Sequence, residues 1–253
     1  MDIKNDFIDG LDNALGYDIQ SFPWHSPRYV LDAFDWLLKK YNGLVVKERE
    51  FKSAREARAV AILLLGISKQ QNQHYVMQVS REESPDIISL TLIERENKPV
   101  YALIQEVEVV TLNMHSKDID VVNFLKRTKL SPKKSYDDKT VILCEIRKKM
   151  QLESYEIINK KLNKIQAKTD IFLLGKISPN KQIYQMCQVW RKLNMIYDID
   201  VYRLGMNYPE PHNLMLTPGV SKKILIKKSD FPKPSYYEVF ALNEEKIKSK
   251  FKT

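Results

Sequence analysis

Apolar positions recur every three or four residues in five stretches of the chain and gather into short runs in much of the remainder, a pattern of helices alternating with strands. The capping serine and first-turn proline of Ser26-Pro27, followed by Val30, Phe34, Leu37, Leu38 and Tyr41, predict a helix over 27–42 that ends at Asn42-Gly43. Residues 44–51, short and β-branched at the start, read as a strand. Ser53-Ala54-Arg55-Glu56 matches a capping box, and Ala57, Val60, Ala61, Leu64 and Leu65 behind it predict a helix over 54–70. Three apolar runs of strand length follow at 75–80, 86–93 and 100–112, which is the signature of a meander.

Ser116 is positioned to cap a further helix carrying Val121, Val122, Phe124 and Leu125, and a polar turn over 131–139 leads to a strand at 141–146. Tyr155, Ile158, Leu162 and Ile165 mark a helix over 154–167, and 170–175 is a buried-type strand. Ser178-Pro179 then opens a helix with Ile183, Met186, Trp190 and Leu193, before a strand over 199–204. Beyond 206 the prolines at 209, 211, 218, 232 and 234 break the pattern, leaving a short strand at 224–227 and a terminal helix from about 243. The fold expected is α/β, a central mixed sheet flanked by helices with an irregular C-terminal extension.

Composition narrows the function classes. Only 7 glycines occur in 253 residues, where average usage gives roughly 18. None sits in a GxGxxG or GxxxxGK[ST] motif, so dinucleotide binding and P-loop chemistry are excluded. The longest apolar run, Ala59 to Ile67, is about half of a membrane span, and Asp2, Asp6, Asp9 and Asp12 stand where a signal peptide is basic and then apolar. An intracellular, cytoplasmic protein that is neither secreted nor membrane-bound is expected. Cys144, in a predicted strand, and Cys187, in a predicted helix, are expected to be free buried thiols. His25, His74, His115 and His212 show no zinc-ligand spacing.

Charge is distributed unevenly. The formal net charge is +9, yet residues 1–120 hold 14 Lys and Arg against 19 Asp and Glu, while residues 121–253 hold 27 against 13. Clusters at Lys126-Arg127-Lys129, Lys133-Lys134 and Lys160-Lys161 make the second half attractive to a polyanion, because each phosphate neutralised releases condensed counterions. Nucleic acid is the expected partner, with solvated lysine-rich surface as the bland reading of the same residues.

Carboxylates are out of place inside an apolar strand, so Glu106 and Glu108 in Ile104-Gln105-Glu106-Val107-Glu108-Val109-Val110 need a reason. Alternation puts both on one face. Antiparallel pairing of 86–93 with 100–110 brings Asp86 of Ser84-Pro85-Asp86 opposite the interval between them, so three carboxylates converge where only a cation would offset their repulsion. Hard divalent ions such as Mg²⁺ use a few carboxylates completed by water and phosphate. Plain alternatives are a cap for Glu56, the solvated face of an edge strand for Glu106 and Glu108, and a strand-entry turn for Asp86.

Pro-Asp at the head of the second meander strand and an acidic pair two residues apart in the third, within a helix, meander, helix and strand over roughly 53–147, resemble the PD-(D/E)xK superfamily of restriction-endonuclease-like nucleases. The resemblance implies a Mg²⁺-dependent endonuclease, Mn²⁺ serving in its place, acting on DNA. It puts metal-holding roles on Asp86 and Glu106, with Glu56 of the preceding helix joining them, and a catalytic role on Glu108, which stands where the family usually has lysine. It divides the chain into an N-terminal helical segment and strand (1–52), a nuclease core (53–205) and a Pro-rich basic extension (206–253). Family members that cut both strands mostly work as dimers, which makes a homodimer the assembly to look for. The alternative is a non-catalytic nucleic-acid-binding or complex-forming protein on the same scaffold.

Overall fold

A computed structural model describes residues 23–251 apart from 82–83, 94–100, 118–119, 132–135, 137–138, 179, 210–211, 219–223 and 229–234. The first strand, β1 (Trp24–His25), runs directly into α1 (Pro27–Tyr41). Ser26 Oγ caps this helix by accepting from Tyr29 N at 3.2 Å. The helix ends at Asn42, which itself takes the positive φ of 50° expected of Gly43.

Residues 44–51 are helical rather than a strand: α2 (Leu44–Lys47) is followed by a 3₁₀ turn over Arg49–Phe51. Val45 and Phe51 are both buried, and the Arg55 guanidinium donates to Val45 O at 2.8 Å and Glu48 O at 2.7 Å. Those carbonyls therefore need no neighbouring strand.

The long helix α3 (Lys52–Gln71) is buried on almost every side, and its alanines at 54, 57, 59 and 61 let α1 and the sheet approach closely. Gly66 marks the tightest point, since a Cβ there would lie 2.8 Å from Ile199 Cδ1. Ser53 does not cap this helix, because the helix starts one residue earlier; its hydroxyl donates instead to Phe240 O at 2.8 Å. The capping-box reading of Glu56 falls with it.

The meander forms as expected, from β2 (His74–Val79), β3 (Ile87–Ile93) and β4 (Tyr101–Leu112). Next come α4 (Val121–Thr128), β5 (Thr140–Ile146), α5 (Tyr155–Lys164) and β6 (Asp170–Lys176). Asp120 rather than Ser116 caps α4, accepting from Val122 N at 2.7 Å and Asn123 N at 3.1 Å. Strands β4, β5 and β6 are parallel neighbours, so α4 and α5 are the crossovers between them.

Two expectations fail at 178–206. The segment expected as a helix is an antiparallel hairpin of β7 (Ile183–Trp190) and β8 (Asn194–Asp200), which puts Cys187 on a strand. Tyr184 and Met186 pack into one apolar cluster and Cys187 and Val189 into the other. A strand covered on both faces loses simple alternation, and its apolar residues imitate helical spacing. The expected strand over 199–204 is the end of β8 followed by α6 (Val201–Met206), capped by Asp200, which accepts from Arg203 N at 3.0 Å. Cys144 and Cys187 are free and buried.

The C-terminal part is more ordered than an irregular extension. Strands β9 (Asn213–Pro218) and β10 (Ile224–Lys228) continue the sheet beyond β1, giving the ten-strand order β10-β9-β1-β2-β3-β4-β5-β6-β7-β8. A 3₁₀ turn (Glu238–Phe240) and α7 (Glu244–Lys250) return to the helical layer, where Tyr237 and Tyr41 share a 2.6 Å hydroxyl hydrogen bond. One apolar cluster accordingly draws on all three expected segments: Phe34 and Leu37 from the first, α3 and the sheet from the second, Phe240 and Ile247 from the third. The other cluster lies between the opposite face of the sheet and helices α4 and α5. Among the described residues no helix is long and apolar enough to cross a membrane.

Candidate functional site

The site follows from the register of β3 and β4. Ile87 stands opposite Val107, so Asp86, one residue before the strand begins, faces Glu108 and not the interval between Glu106 and Glu108. Asp86 Oδ2 accepts from Val109 N at 2.8 Å, which fixes its carboxylate against β4.

Glu108 Oε2 pairs with the Lys129 ammonium, and Ser84 Oγ donates to Glu108 Oε1. The same Lys129 Nζ lies 3.6 Å from Asp86 Oδ2. One ammonium thus bridges both carboxylates, with all three side chains largely withdrawn from water at 12%, 10% and 7% exposure for Lys129, Asp86 and Glu108. At this depth the pairing is strong enough to matter, unlike an ion pair on the surface.

From the other side α3 contributes Lys52, whose Nζ is 3.5 Å from Asp86 Oδ1 and 3.1 Å from Glu56 Oε1. Burial works against the Lys52 charge, but Glu56 and Asp86 outweigh it and hold Lys52 above its ordinary pKa. Burial, reinforced by the charge of Asp86 and opposed by Lys52, pushes Glu56 up to about 7. Tyr136 is pushed up to about 12 by burial and then by the charges of Glu108 and Asp86. The centre is therefore a string of alternating charges, Glu56, Lys52, Asp86, Lys129, Glu108, with Tyr136 within electrostatic reach.

Glu106 does not join it. It pairs in register with Ile88 and Thr140, and Thr140 Oγ1 donates to Glu106 Oε2 at 3.4 Å. Among the described residues no three of His, Cys, Asp or Glu gather closely enough to form a metal-ligand cluster. The expected convergence of Asp86, Glu106 and Glu108 is replaced by a pair, Asp86 and Glu108, with Glu56 across Lys52. Mg²⁺ can bind through one or two carboxylates with water and phosphate oxygens, and here the Lys129 ammonium lies between the pair.

The basic residues divide. Lys126, Arg127 and Lys160 are exposed on the α4 and α5 layer, with Arg127 over the Phe124 ring at 5.9 Å. Lys161 has a structural role, because its ammonium pairs with Asp120 at 2.7 Å and Glu153 at 2.6 Å and so ties α5 to the cap of α4. Lys129 belongs to the carboxylate centre rather than to an outer basic patch. Lys133 and Lys134 lie outside the described residues.

Lys52, Ser84 and Tyr136 do not stand out in the sequence, and Lys129 reads there as one of a basic cluster. A signal for Lys129 is nonetheless present, since Val121, Leu125 and Lys129 recur every four residues and the first two are buried. Its side chain therefore points inward from the end of a crossover helix lying over β4. No family model, no curated protein and no solved structure matches the chain.

Proposed function

We propose that the chain is a Mg²⁺-dependent nuclease, with DNA as its substrate, in which Asp86 and Glu108 hold the ion. The observation that supports this reading is the bridging of these two buried carboxylates, at the head of β3 and within β4, by a single ammonium. Glu108 takes the metal-holding place that the PD-(D/E)xK resemblance assigned to Glu106, and Lys129, reaching in from α4, supplies the positive charge absent from the strand.

The ion, when bound, polarises the scissile phosphate and lowers the pKa of an attacking water. The chain's own residues do the rest. Glu56 titrates near neutrality, where a carboxylate is an effective proton acceptor, and can take the proton of the attacking water. Lys129 bridges Asp86 and Glu108 before the ion binds and, displaced by it, brings positive charge to the phosphate. Exposed Lys126, Arg127 and Lys160 attract and align the polyanion without reading its sequence.

The same ion pairs favour a second reading. Lys52 and Lys129 already offset the carboxylates, so the centre is stable as it stands, as a non-catalytic nucleic-acid-binding or complex-forming protein requires. Incubation of the purified chain with plasmid and linear DNA in millimolar Mg²⁺ or Mn²⁺ separates the two. The nuclease reading expects cleavage by wild type and none by Asp86→Asn, with DNA binding retained. Binding without cleavage, across DNA and RNA and with either metal, would replace it with the second reading.

A further inference from the structure

A second feature lies at the carboxyl ends of the parallel strands β5 and β6, on the face of the sheet that carries α3. Val141 and Leu143 of β5 pack into the α3-side cluster, and alternation continues that face to Glu145. Leu174 of β6 does the same for Lys176. Between these strand ends and helices α1 to α3 is a cavity of about 760 Å³, within the size range of small-molecule sites.

Among the described residues, six cationic side chains, Arg55, Arg58, Arg147, Lys148, Lys149 and Lys176, line this cavity with one carboxylate, Glu145. Arg147 pairs with that carboxylate at 2.6 Å. Three of the others donate to neutral acceptors. Arg55 donates to the carbonyls of Val45 and Glu48, Arg58 to Gln182 Oε1 at 3.1 Å and Tyr184 Oη at 2.6 Å, and Lys148 to Ser116 O at 2.9 Å.

Asp35 offsets part of the Arg58 charge, and Glu56, Glu145 and Glu48 offset part of the Arg55 charge, against which Arg147 acts. Arg58 is also stacked over the Phe34 and Tyr184 rings, at 5.3 and 5.5 Å, so its position is set before any ligand arrives. Phe34, Leu38 and Val46 give the remaining wall an apolar character.

We propose that this cavity binds a phosphomonoester carried on an apolar or aromatic body the size of a nucleoside. Six cations on one lining, with Arg55 and Arg58 held in place by carbonyl, amide and hydroxyl acceptors, suit a doubly charged phosphate, and the apolar wall suits the body attached to it. The inference goes beyond the nuclease reading and does not depend on it, because ligand capture here uses no residue of the carboxylate centre. The phosphate can come from a free nucleotide or from the phosphorylated end of a nucleic-acid strand.

Calorimetry on the full chain in EDTA tests this with adenosine 5′-monophosphate, adenosine, inorganic phosphate, and an oligonucleotide with and without a 5′-phosphate. The nucleotide is expected to bind roughly tenfold more tightly than adenosine or phosphate alone. Lys149→Gln combined with Lys176→Gln, both exposed at the rim, should weaken it about fivefold. Asp86→Asn should bind it as wild type does. Competition by the phosphorylated oligonucleotide alone supports the site and assigns it to strand ends; competition by neither oligonucleotide supports it and assigns it to free nucleotide. Equal binding of nucleotide and adenosine, an affinity the double variant does not alter, or no nucleotide binding at millimolar concentration would overturn the proposal.

Discussion

The carboxylate centre and the cavity at the strand ends are both rich in charge, but the first alternates in sign while the described lining of the second is mostly cationic. Asp86 and Glu108 share Lys129, and Lys52 answers both Asp86 and Glu56. Among the described residues the cavity sets six cations around one carboxylate. A centre of alternating charge sustains its own burial and changes state when a competing cation or a proton redistributes the charge. A mostly cationic lining carries standing repulsion that an incoming anion relieves. Net charge along the sequence conceals this difference, since neighbouring residues of α3 serve the two sites: Glu56 faces one and Arg55 lines the other.

The largest effect expected at the carboxylate centre is that of Lys129→Met, which leaves two buried carboxylates facing each other. Chemical denaturation should show a loss of about 2–4 kcal/mol, and millimolar Mg²⁺ should recover part of it. Full stability in the variant would mean that the ammonium does not hold the centre together.

Next is the pH dependence of Glu56. Its folded pKa of about 7 lies above the ordinary 4.5, so the folded state binds the extra proton and stability falls as pH rises through this interval. Glu56→Gln should therefore be more stable than wild type at pH 8, by on the order of 2 kcal/mol, with the difference disappearing by pH 4. A difference independent of pH would remove Glu56 from the electrostatics of the centre.

The smallest effects separate adjacent lysines. Lys160→Ala should flatten the salt dependence of DNA binding by about one counterion and leave the fold untouched. Lys161→Ala should lower the thermal midpoint slightly by freeing Asp120 and Glu153, with the DNA salt slope unchanged. Exchanged outcomes would mean that Lys161 and not Lys160 meets the polyanion.

The parts of the fold legible in the sequence were helices with one buried face and short apolar runs of strand length, β5 and β6 being buried on both faces. Helices α1 and α5 carry a clear period, the meander, β5 and β6 read as apolar runs of strand length, and the acidic pair in β4 stood out because carboxylates are costly there. Hairpin β7–β8 was hidden because its apolar residues imitate helical spacing, and β9 because flanking prolines mask a short strand, whereas β10 was legible at 224–227.

The candidate site was legible to within one register step. Turn geometry decides whether Asp86 faces Glu106 or Glu108, and pattern alone does not fix a turn. Lys129 and Lys52 reach the site across the packing of helices on a sheet, information carried by tertiary structure and not by spacing. The cavity was invisible for the same reason, its cations being drawn from α3 and the ends of two strands.

The register of β3 on β4 puts the decisive comparison on two glutamates in one strand. Mg²⁺-dependent DNA cleavage measured for Glu106→Gln and Glu108→Gln in parallel tests it directly, since each change preserves side-chain volume and removes one charge. Glu108→Gln is expected to be inert while Glu106→Gln retains most of the wild-type rate. Loss of cleavage in Glu106→Gln with activity kept in Glu108→Gln, or full activity in both, would overturn the assignment of Glu108 to the metal.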